Sequence, residues 1–412
     1  MQECGTSSAA LRLEDERVEV GREENEEEAL NLMAIRSELL IAGVMNKGRV
    51  ETAEQNNIII KTIKVEGDGG DVIDCVDIYK QPALNHPLLK NLTIQLTPPP
   101  YPNGSNETDS SHQNDEQVLQ SWLLEEECPE GTIPILRTQA FNISTPKSIP
   151  QFNQSDVLKL TAPDNHEYAT VSTARGQYYG AHTSVNVWSP LSENGESISQ
   201  IWVVGGLGAA DGGAQSTVEA GWITRSYDNQ TRFFTYWTGH NYKDGCYNLE
   251  CSGFIQVNRK FALGSVIKPV STYNGKQAEI FISIYKHKSV GQWWLMVQDQ
   301  ALGYWPDKIL PSLQGSADMV TWGGEVYNSE PGGRHTRTQM GSGHFPSEGY
   351  GKASYFRNMQ YLASSGKFVD AERLITYVTK PPCYNLIQQN KAKGFGTHFY
   401  YGGSGYSARC PQ

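Results

Sequence analysis

No Cys-x-x-Cys occurs among the seven cysteines, and no Cys/His group has the spacing of zinc ligands. There is no His-Glu-x-x-His, and Gly403-Ser404-Gly405 runs into Tyr406 where a nucleophile elbow needs glycine. Zinc-protease and serine-hydrolase readings therefore lose their usual support, and no cofactor or metal is expected. Basic residues are in deficit, with 34 Lys and Arg against 45 Asp and Glu and a net charge of −11. Phosphate binding needs clustered cations, so this balance argues against a nucleic-acid partner. No apolar run approaches the length of a bilayer span, the stretch near Leu39–Val44 being too short. A helical period sustained beyond about ten residues is also missing.

What the chain does have is glycine, 40 residues, and aromatics, including 9 Trp and 21 Tyr. That balance favours all-β architecture, and 412 residues favour two folded units. Six cysteines pair by order, Cys75 with Cys128, Cys246 with Cys251 and Cys383 with Cys410, leaving Cys4 over. Asn-x-Ser/Thr sequons stand at Asn91, Asn103, Asn106, Asn142, Asn153 and Asn229. Together these point to an oxidising, secretory compartment. Met1-Gln2-Glu3 opens a polar segment with no signal peptide, so the expectation is a misassigned start with a leader missing.

Along the chain, residues 1–55 are rich in Glu and read as a solvated extension. Residues 56–140 hold β-branched runs, a Pro-marked turn segment and the Cys75/Cys128 pair, which suggests a small α+β unit. Residues 141–164 are linker-like, with Pro146, Pro150 and Pro163, and accessible to nicking. From 165 to 412 turn signals recur between short strand candidates: Tyr168–Ser172, Thr183–Trp188, Gln200–Val204, Arg232–Trp237, Gly253–Val257, Ala278–Lys286, Trp293–Gln298, Asp318–Trp322 and His398–Tyr401. Asp307–Leu313 is the nearest thing to a helix. An antiparallel β-sandwich is the expected architecture.

Several motifs invite functional readings that the residues do not sustain. Gly205-Gly206-Leu207-Gly208 follows an apolar strand, but Asp211 stands where the third glycine of a dinucleotide loop belongs and no helix follows, so a β-turn is expected. His182, His335 and His344 lie near other motifs and read as structural. Trp293-Trp294 and Tyr304-Trp305 could make a sugar-stacking platform, though core packing is the commoner role. Glu219, in Thr-Val-Glu-Ala-Gly-Trp, and Glu325, in Trp-Gly-Gly-Glu-Val-Tyr-Asn, each sit among small residues beside a tryptophan. Two carboxylates brought close hold their protons unequally, so one can act as acid while the other acts as base, without metal or serine. Trp222 and Trp322 are expected to desolvate the pair.

From about His166 onward the chain resembles the neprosin family, plant secreted glutamic endopeptidases that cut after proline. The stretches that carry the resemblance include NVWSP, SQIWVVGG, VEAGW, TRFFTYWT, GCYNLEC, ALGSVIKPVSTYNG, WGGEVYNS, HTRTQMGSGHFPSEGYGKASYFRN and YYGGSG. GGDVIDCVDIYKQPALNHPLLKN with CPEGTIPILRT resembles the family's activation peptide. The resemblance implies a lectin-like (concanavalin-like) antiparallel sandwich, catalytic glutamates at Glu219 and Glu325, and a zymogen whose propeptide is its own inhibitor until acid removes it. It also implies proline-containing peptide substrates; a monomer with neither nucleic-acid nor membrane partner is expected. Two other classes stay open at this point: a non-catalytic carbohydrate-binding wall protein, and a glycosidase using the same carboxylates about 5–10 Å apart.

Overall fold

The computed structural model describes residues 59–65, 70–102, 116–117, 119–120, 127–137, 165–207, 215–287, 290–328, 330 and 334–411. The N-terminal extension, the 141–164 linker, Cys4 and the sequons at Asn103, Asn106, Asn142 and Asn153 lie outside them.

Glycine and proline cut the described chain into short extended runs. The first are β1 (Ile59–Lys64), β2 (Val72–Asp77), β3 (Glu116–Gln117), β4 (Leu119–Gln120) and β5 (Thr132–Leu136). Then follow β6 (His166–Ser172), β7 (Gly180–Asn186), β8 (Gly195–Gly205), β9 (Ser216–Arg225), β10 (Thr231–Gly239), β11 (Asp244–Tyr247), β12 (Ile255–Gln256) and β13 (Ile267–Lys268). The chain continues through β14 (Ala278–Lys286), β15 (Gln292–Val297), β16 (Gln300–Pro306), β17 (Met319–Asn328), β18 (Ser354–Leu362), β19 (Phe368–Asp370), β20 (Ile375–Val378), β21 (Asn385–Ala392) and β22 (Gly396–Gly402).

Two sheets make the sandwich. A seven-stranded antiparallel sheet runs β11-β10-β9-β8-β17-β6-β20. A ten-stranded sheet runs β12-β16-β15-β14-β7-β18-β22-β21, with β19 on β18 and β3 parallel to β14. Alternate residues of each strand face inward. Ile201, Val203, Val218, Ala220, Trp222 and Trp322 from the first sheet join Val185, Ile280, Ile282, Ile284, Leu295 and Phe399 from the second in one buried cluster. Polar links cross between the sheets inside it: Trp222 Nε1 donates to Asn186 O at 3.0 Å, and Ser199 Oγ meets the Tyr401 hydroxyl at 2.5 Å. The all-β sandwich is thus as expected, and all three cysteine pairs are disulfide-bonded. Asp307–Leu313 is two 3-10 turns, Asp307–Ile309 and Pro311–Leu313.

The small unit before the sandwich is a three-stranded sheet, β1-β2-β5, bridged by Cys75–Cys128. Its helical part is three 3-10 turns, Ile78–Lys80, Pro82–Asn85 and Pro87–Leu89, because prolines recur too often for a longer helix. From there residues 78–101 form a strap over the outer face of the ten-stranded sheet. Gln81 pairs with the backbone of Gln256 at both ends of its amide, and the Gln95 N–H donates to the Tyr304 hydroxyl. Tyr285 donates to Pro99 O, and Tyr101 donates to Ser283 Oγ while its ring packs on Tyr285. At the β10 edge Asp71 pairs with Arg232 at 3.0 Å, and Glu127 pairs with Arg259 and Lys260.

Close strand approach makes one glycine on the seven-stranded sheet indispensable. A Cβ built on Gly221 would lie 1.9 Å from Ser199 O on β8. Gly221→Ala is expected to cost about 3 kcal/mol or more, above the usual range for overpacking because the obstacle is backbone. Urea unfolding checks this, and an unchanged midpoint refutes the register.

Candidate active site

The pairing of β8 with its two neighbours settles where the glutamates point. Glu219 on β9 stands opposite Trp202, and Glu325 on β17 stands opposite Ile198. Positions 198, 200 and 202 share one face of β8. Both carboxylates therefore lie on the outer face of the seven-stranded sheet, the side away from the main core. Their Cα atoms are about 10 Å apart across two strand spacings and offset by about 13 Å along β8. Between them stands Gln200, opposite Gly221 on one side and Gly323 on the other. Each glutamate brings a glycine two residues away on the same face, which explains the Glu-x-Gly and Gly-x-Glu spacings in the two motifs. The row Phe234, Gly221, Gln200, Gly323, Thr170 crosses the sheet, bare at both glycines. Glu219 stands on one bank of this trough and Glu325 on the other.

Each carboxylate is held by neighbours that the sequence did not single out. Around Glu325, His166 Nδ1 lies 2.6 Å from Oε1, the Tyr168 hydroxyl donates to Oε1 at 3.2 Å, and Gln200 Nε2 donates to Oε2 at 2.9 Å. His166 and Tyr168 come from the start of β6, opposite Tyr327 and Glu325. The imidazole packs against the Tyr168 and Tyr327 rings. Around Glu219, Thr217 and Tyr242 both donate to Oε1, at 2.7 and 2.9 Å. All of this is buried: Glu219 and Gln200 are 0% exposed, Glu325 3% and His166 5%.

Burial first, then the charge of Glu325, holds the Tyr168 phenol well above its usual pKa, and Tyr242 and Glu219 add to the same shift. Tyr168 thus feels both carboxylates, although its hydroxyl touches one. Burial and then the charge of Glu219 raise the Tyr242 phenol in the same way. Both phenols stay protonated at any ordinary pH and act as donors to carboxylate oxygen.

Tyr242 is delivered by a strained turn. His240, Asn241 and Tyr242 all have positive φ, at 32°, 58° and 59°, and none is glycine. Such residues cost about 1–2 kcal/mol each. The turn is pinned to the start of β9, where Asn241 Oδ1 accepts from the Gln215 N–H and Asn241 N–H donates to Gln215 O. Strain of this kind gathers where a side chain must be aimed.

Other sequence candidates fall elsewhere. Trp222 and Trp322 do not flank the glutamates: an odd offset of three along a strand turns them to the opposite face, into the inter-sheet core. Trp202 and Tyr168 take that place on the outer face. Trp293, Trp294, Tyr304 and Trp305 are each 0% exposed, so they offer no sugar platform. His182 lies under Tyr101, His335 lies near Glu167, and His344 pairs with Glu348. The N–H groups of Gly206 and Leu207 both donate to Asp318 Oδ2 at 2.8 Å, so a carboxylate already takes what a phosphate would need. Asn91 and Asn229 are exposed. Among the described residues, His335, Cys383 and Cys410 form a group within metal-ligand reach, but both cysteines are disulfide-bonded to each other. No helix of the described residues is long and apolar enough to cross a membrane.

Comparison with known proteins gives matches over most of the chain. The Neprosin family model matches residues 193–404, and the Neprosin activation peptide model matches residues 64–182. Among solved structures, scytalido-glutamic peptidase with a transition-state analogue inhibitor is 11% identical, with 57% of this chain and 97% of that chain covered and a TM-score of 0.31. SCP-B, described as a member of the eqolisin family of peptidases and bound to Ala-Ile-His, is 12% identical, with 58% and 97% covered and a TM-score of 0.29. LamAcat from Zobellia galactanivorans is 10% identical, with 40% and 59% covered and a TM-score of 0.23.

The glycine-rich turn is open to a direct check. Asp318→Ala strands two N–H groups and is expected to lower stability by about 1–2 kcal/mol. Millimolar nucleotide or dinucleotide should leave the melting temperature of the intact protein unchanged, and a rise on adding either would restore the phosphate-loop reading.

Proposed function

The chain belongs to the neprosin family, and on that premise we propose that it is a glutamic endopeptidase, made as a zymogen and active in acid, that cuts on the C-terminal side of proline. What supports this is one observation: Glu219 and Glu325 share a face, across a trough bare at Gly221 and Gly323, each gripped by a tyrosine hydroxyl. In the proposed reaction a water lies in the trough. Glu325, both of whose oxygens accept hydrogen bonds, takes one proton as the water oxygen bonds to the scissile carbonyl carbon. The carbonyl π pair moves onto its oxygen. On collapse the C–N bond breaks, and the leaving nitrogen takes a proton from the carboxyl of Glu219. Solvent exchange restores both groups. Proline specificity is carried over from the family. Secretion fits the three disulfides and the exposed sequons at Asn91 and Asn229, which are proposed to be glycosylated. The carbohydrate-binding alternative loses its aromatic platform to the core.

Residues 56–140 are proposed as the inhibitory propeptide and 141–164 as the processing segment of a monomeric enzyme. The cut has to fall before His166, since β6 opens with the imidazole on Glu325.

The grip of the propeptide is acid-sensitive in sign at three places. The hydrogen bond from Lys260 holds the Glu127 carboxyl below its usual pKa, so this contact is present above the ordinary carboxylate range and lost as pH falls through the lowered value. His86 Nδ1 accepts from the Leu88 N–H, which only an unprotonated nitrogen can do, and burial lowers its pKa. His182, beneath Tyr101, is lowered from 6.5 to about 3 by burial. For both imidazoles the docked form prefers the neutral ring, so docking weakens as pH falls below 6.5, and for His182 the loss is complete only near 3.

Two experiments test this reading. Full-length protein taken to acid pH should cleave a proline-containing peptide after proline, and Glu219→Gln or Glu325→Gln should each lower kcat by about 10³-fold. Full activity in either variant defeats the two-carboxylate mechanism. Hydrogen exchange on the Glu325→Gln chain, which cannot process itself, should show residues 78–101 losing protection between pH 6.5 and about 3 while β8 stays protected. Retained protection of the strap at the acid end, or a processed N-terminus beyond His166 in active wild type, counts against the propeptide assignment.

A further inference from the structure

Glu219 and Glu325 do not account for everything in the trough, because the residue between them is an amide with an unused acceptor. Gln200 is 0% exposed, and its Nε2 donates to Glu325 Oε2 at 2.9 Å. That bond fixes which way the amide faces and turns Oε1 away from the same carboxylate oxygen. Among the described residues Gln200 Oε1 has no hydrogen-bond partner. A buried carbonyl left without a donor costs free energy, and folding alone supplies no reason to accept the cost here. Its neighbours along the same face of β8 are Ile198 and Trp202, so an apolar residue would suit the strand. Its direct neighbours across the sheet are Gly221 and Gly323, which carry no side chain that could donate to Oε1.

We propose that Gln200 is a third catalytic residue, which holds the attacking water against Glu325. This rests on the peptidase reading above and adds to it. The missing partner of Oε1 is a donor that must also serve a carboxylate, and water is the simplest group with two hydrogens to give. One O–H donates to Gln200 Oε1 and the other to Glu325. The water oxygen is left with its lone pairs free of protein donors and available to the scissile carbonyl carbon. As the O–C bond forms, the hydrogen on the Glu325 side passes to that carboxylate. The hydrogen on Oε1 stays with the oxygen and becomes the hydroxyl of the tetrahedral intermediate. Gln200 neither gains nor loses a proton. The amide has a second part to play, since its N–H on Oε2 keeps Glu325 from swinging toward bulk solvent.

The test uses the acid-matured full chain with a proline-containing peptide, and two substitutions. Gln200→Met keeps the length and removes both the donor and the acceptor. Its kcat should fall by about 10²-fold or more, as when one preorganised polar contact to reacting atoms is removed. KM should move less than about threefold, and the urea midpoint should change little, because the gain from removing an orphaned acceptor offsets the donor lost to Glu325 Oε2. A purely structural glutamine would show the reverse, with lost stability and retained turnover. Gln200→Glu keeps an acceptor but adds a third carboxylate among Glu219, Glu325, His166 and Tyr168. Both limbs of its pH profile should shift upward, since a nearby negative charge makes each carboxyl harder to ionise. Wild-type turnover in Gln200→Met, beside inactive Glu219→Gln and Glu325→Gln, overturns the role of Gln200 and leaves the peptidase reading intact. If Gln200→Met does not fold, an unshifted pH profile in Gln200→Glu overturns the proposal alone. A wild-type chain without peptidase activity at any acid pH overturns both readings together.

Discussion

Hydrogen-bond register across β8 is the constraint on which the rest depends. Side chains alternate along a strand, so a slip of one residue in either neighbour would send its glutamate into the core. The register is held from both directions. On the inner face Val203, Val218, Trp222 and Trp322 are buried in the inter-sheet cluster, and a slip would turn them outward. On the outer face the glycines at 221 and 323 permit an approach that a Cβ would block, the nearest backbone atoms being 1.9 Å and 2.4 Å from the built positions. Core burial thus fixes the position of polar groups on the other side of the same sheet. A two-sheet sandwich suits a site of this kind because one face supplies rigidity while the other carries the chemistry.

Burying two carboxylates is expensive unless donors accompany them. The chain meets that requirement with residues from three strands and one turn. β6 brings His166 and Tyr168, β8 brings Gln200, β9 brings Thr217, and the strained turn after β10 brings Tyr242. The two tyrosines act as fixed donors because burial keeps their phenols protonated. The left-handed backbone at His240, Asn241 and Tyr242 is the clearest place where stability is given up for aim. It persists because Gln215 and Asn241 tie the turn to β9 through the bonds on either side.

The strap over the ten-stranded sheet uses a different chemistry. Neutral imidazoles at His86 and His182, the Gln81 amide pairing and the Glu127–Lys260 pair supplement the burial of Ile78, Ala83, Leu89 and Ile94 in the main apolar cluster. The sandwich carries its own buried charge pairs, Arg225 with Glu196 and Arg357 with Glu279, beside its apolar core.

Much of this was legible before any coordinates. Glycine and aromatic enrichment with no sustained helical period was enough for an all-β sandwich, and the order of six cysteines was enough for three bridges, because both follow from local composition and chain connectivity. The strand Ala278–Lys286 was readable to the residue, since its apolar run is bounded by turn signals. β9 was not read as a strand at all, although it carries Glu219, because Ser, Thr, Glu, Ala and Gly break up its β-branched pattern. His166, Tyr168, Gln200 and Tyr242 were equally silent, for they lie in ordinary stretches and gain meaning only from what stands opposite them. The error over Trp222 and Trp322 has the same origin. Nearness along the chain suggested contact, while a half-turn of the strand per residue put each tryptophan on the far side of the sheet from its glutamate. Sequence alone singled out the two carboxylates and determined the class of fold, since both rest on residue type and short-range pattern. Which groups grip those carboxylates, and that an amide lies between them, were decided by tertiary structure, because pairing across strands joins residues that the chain holds up to 159 positions apart.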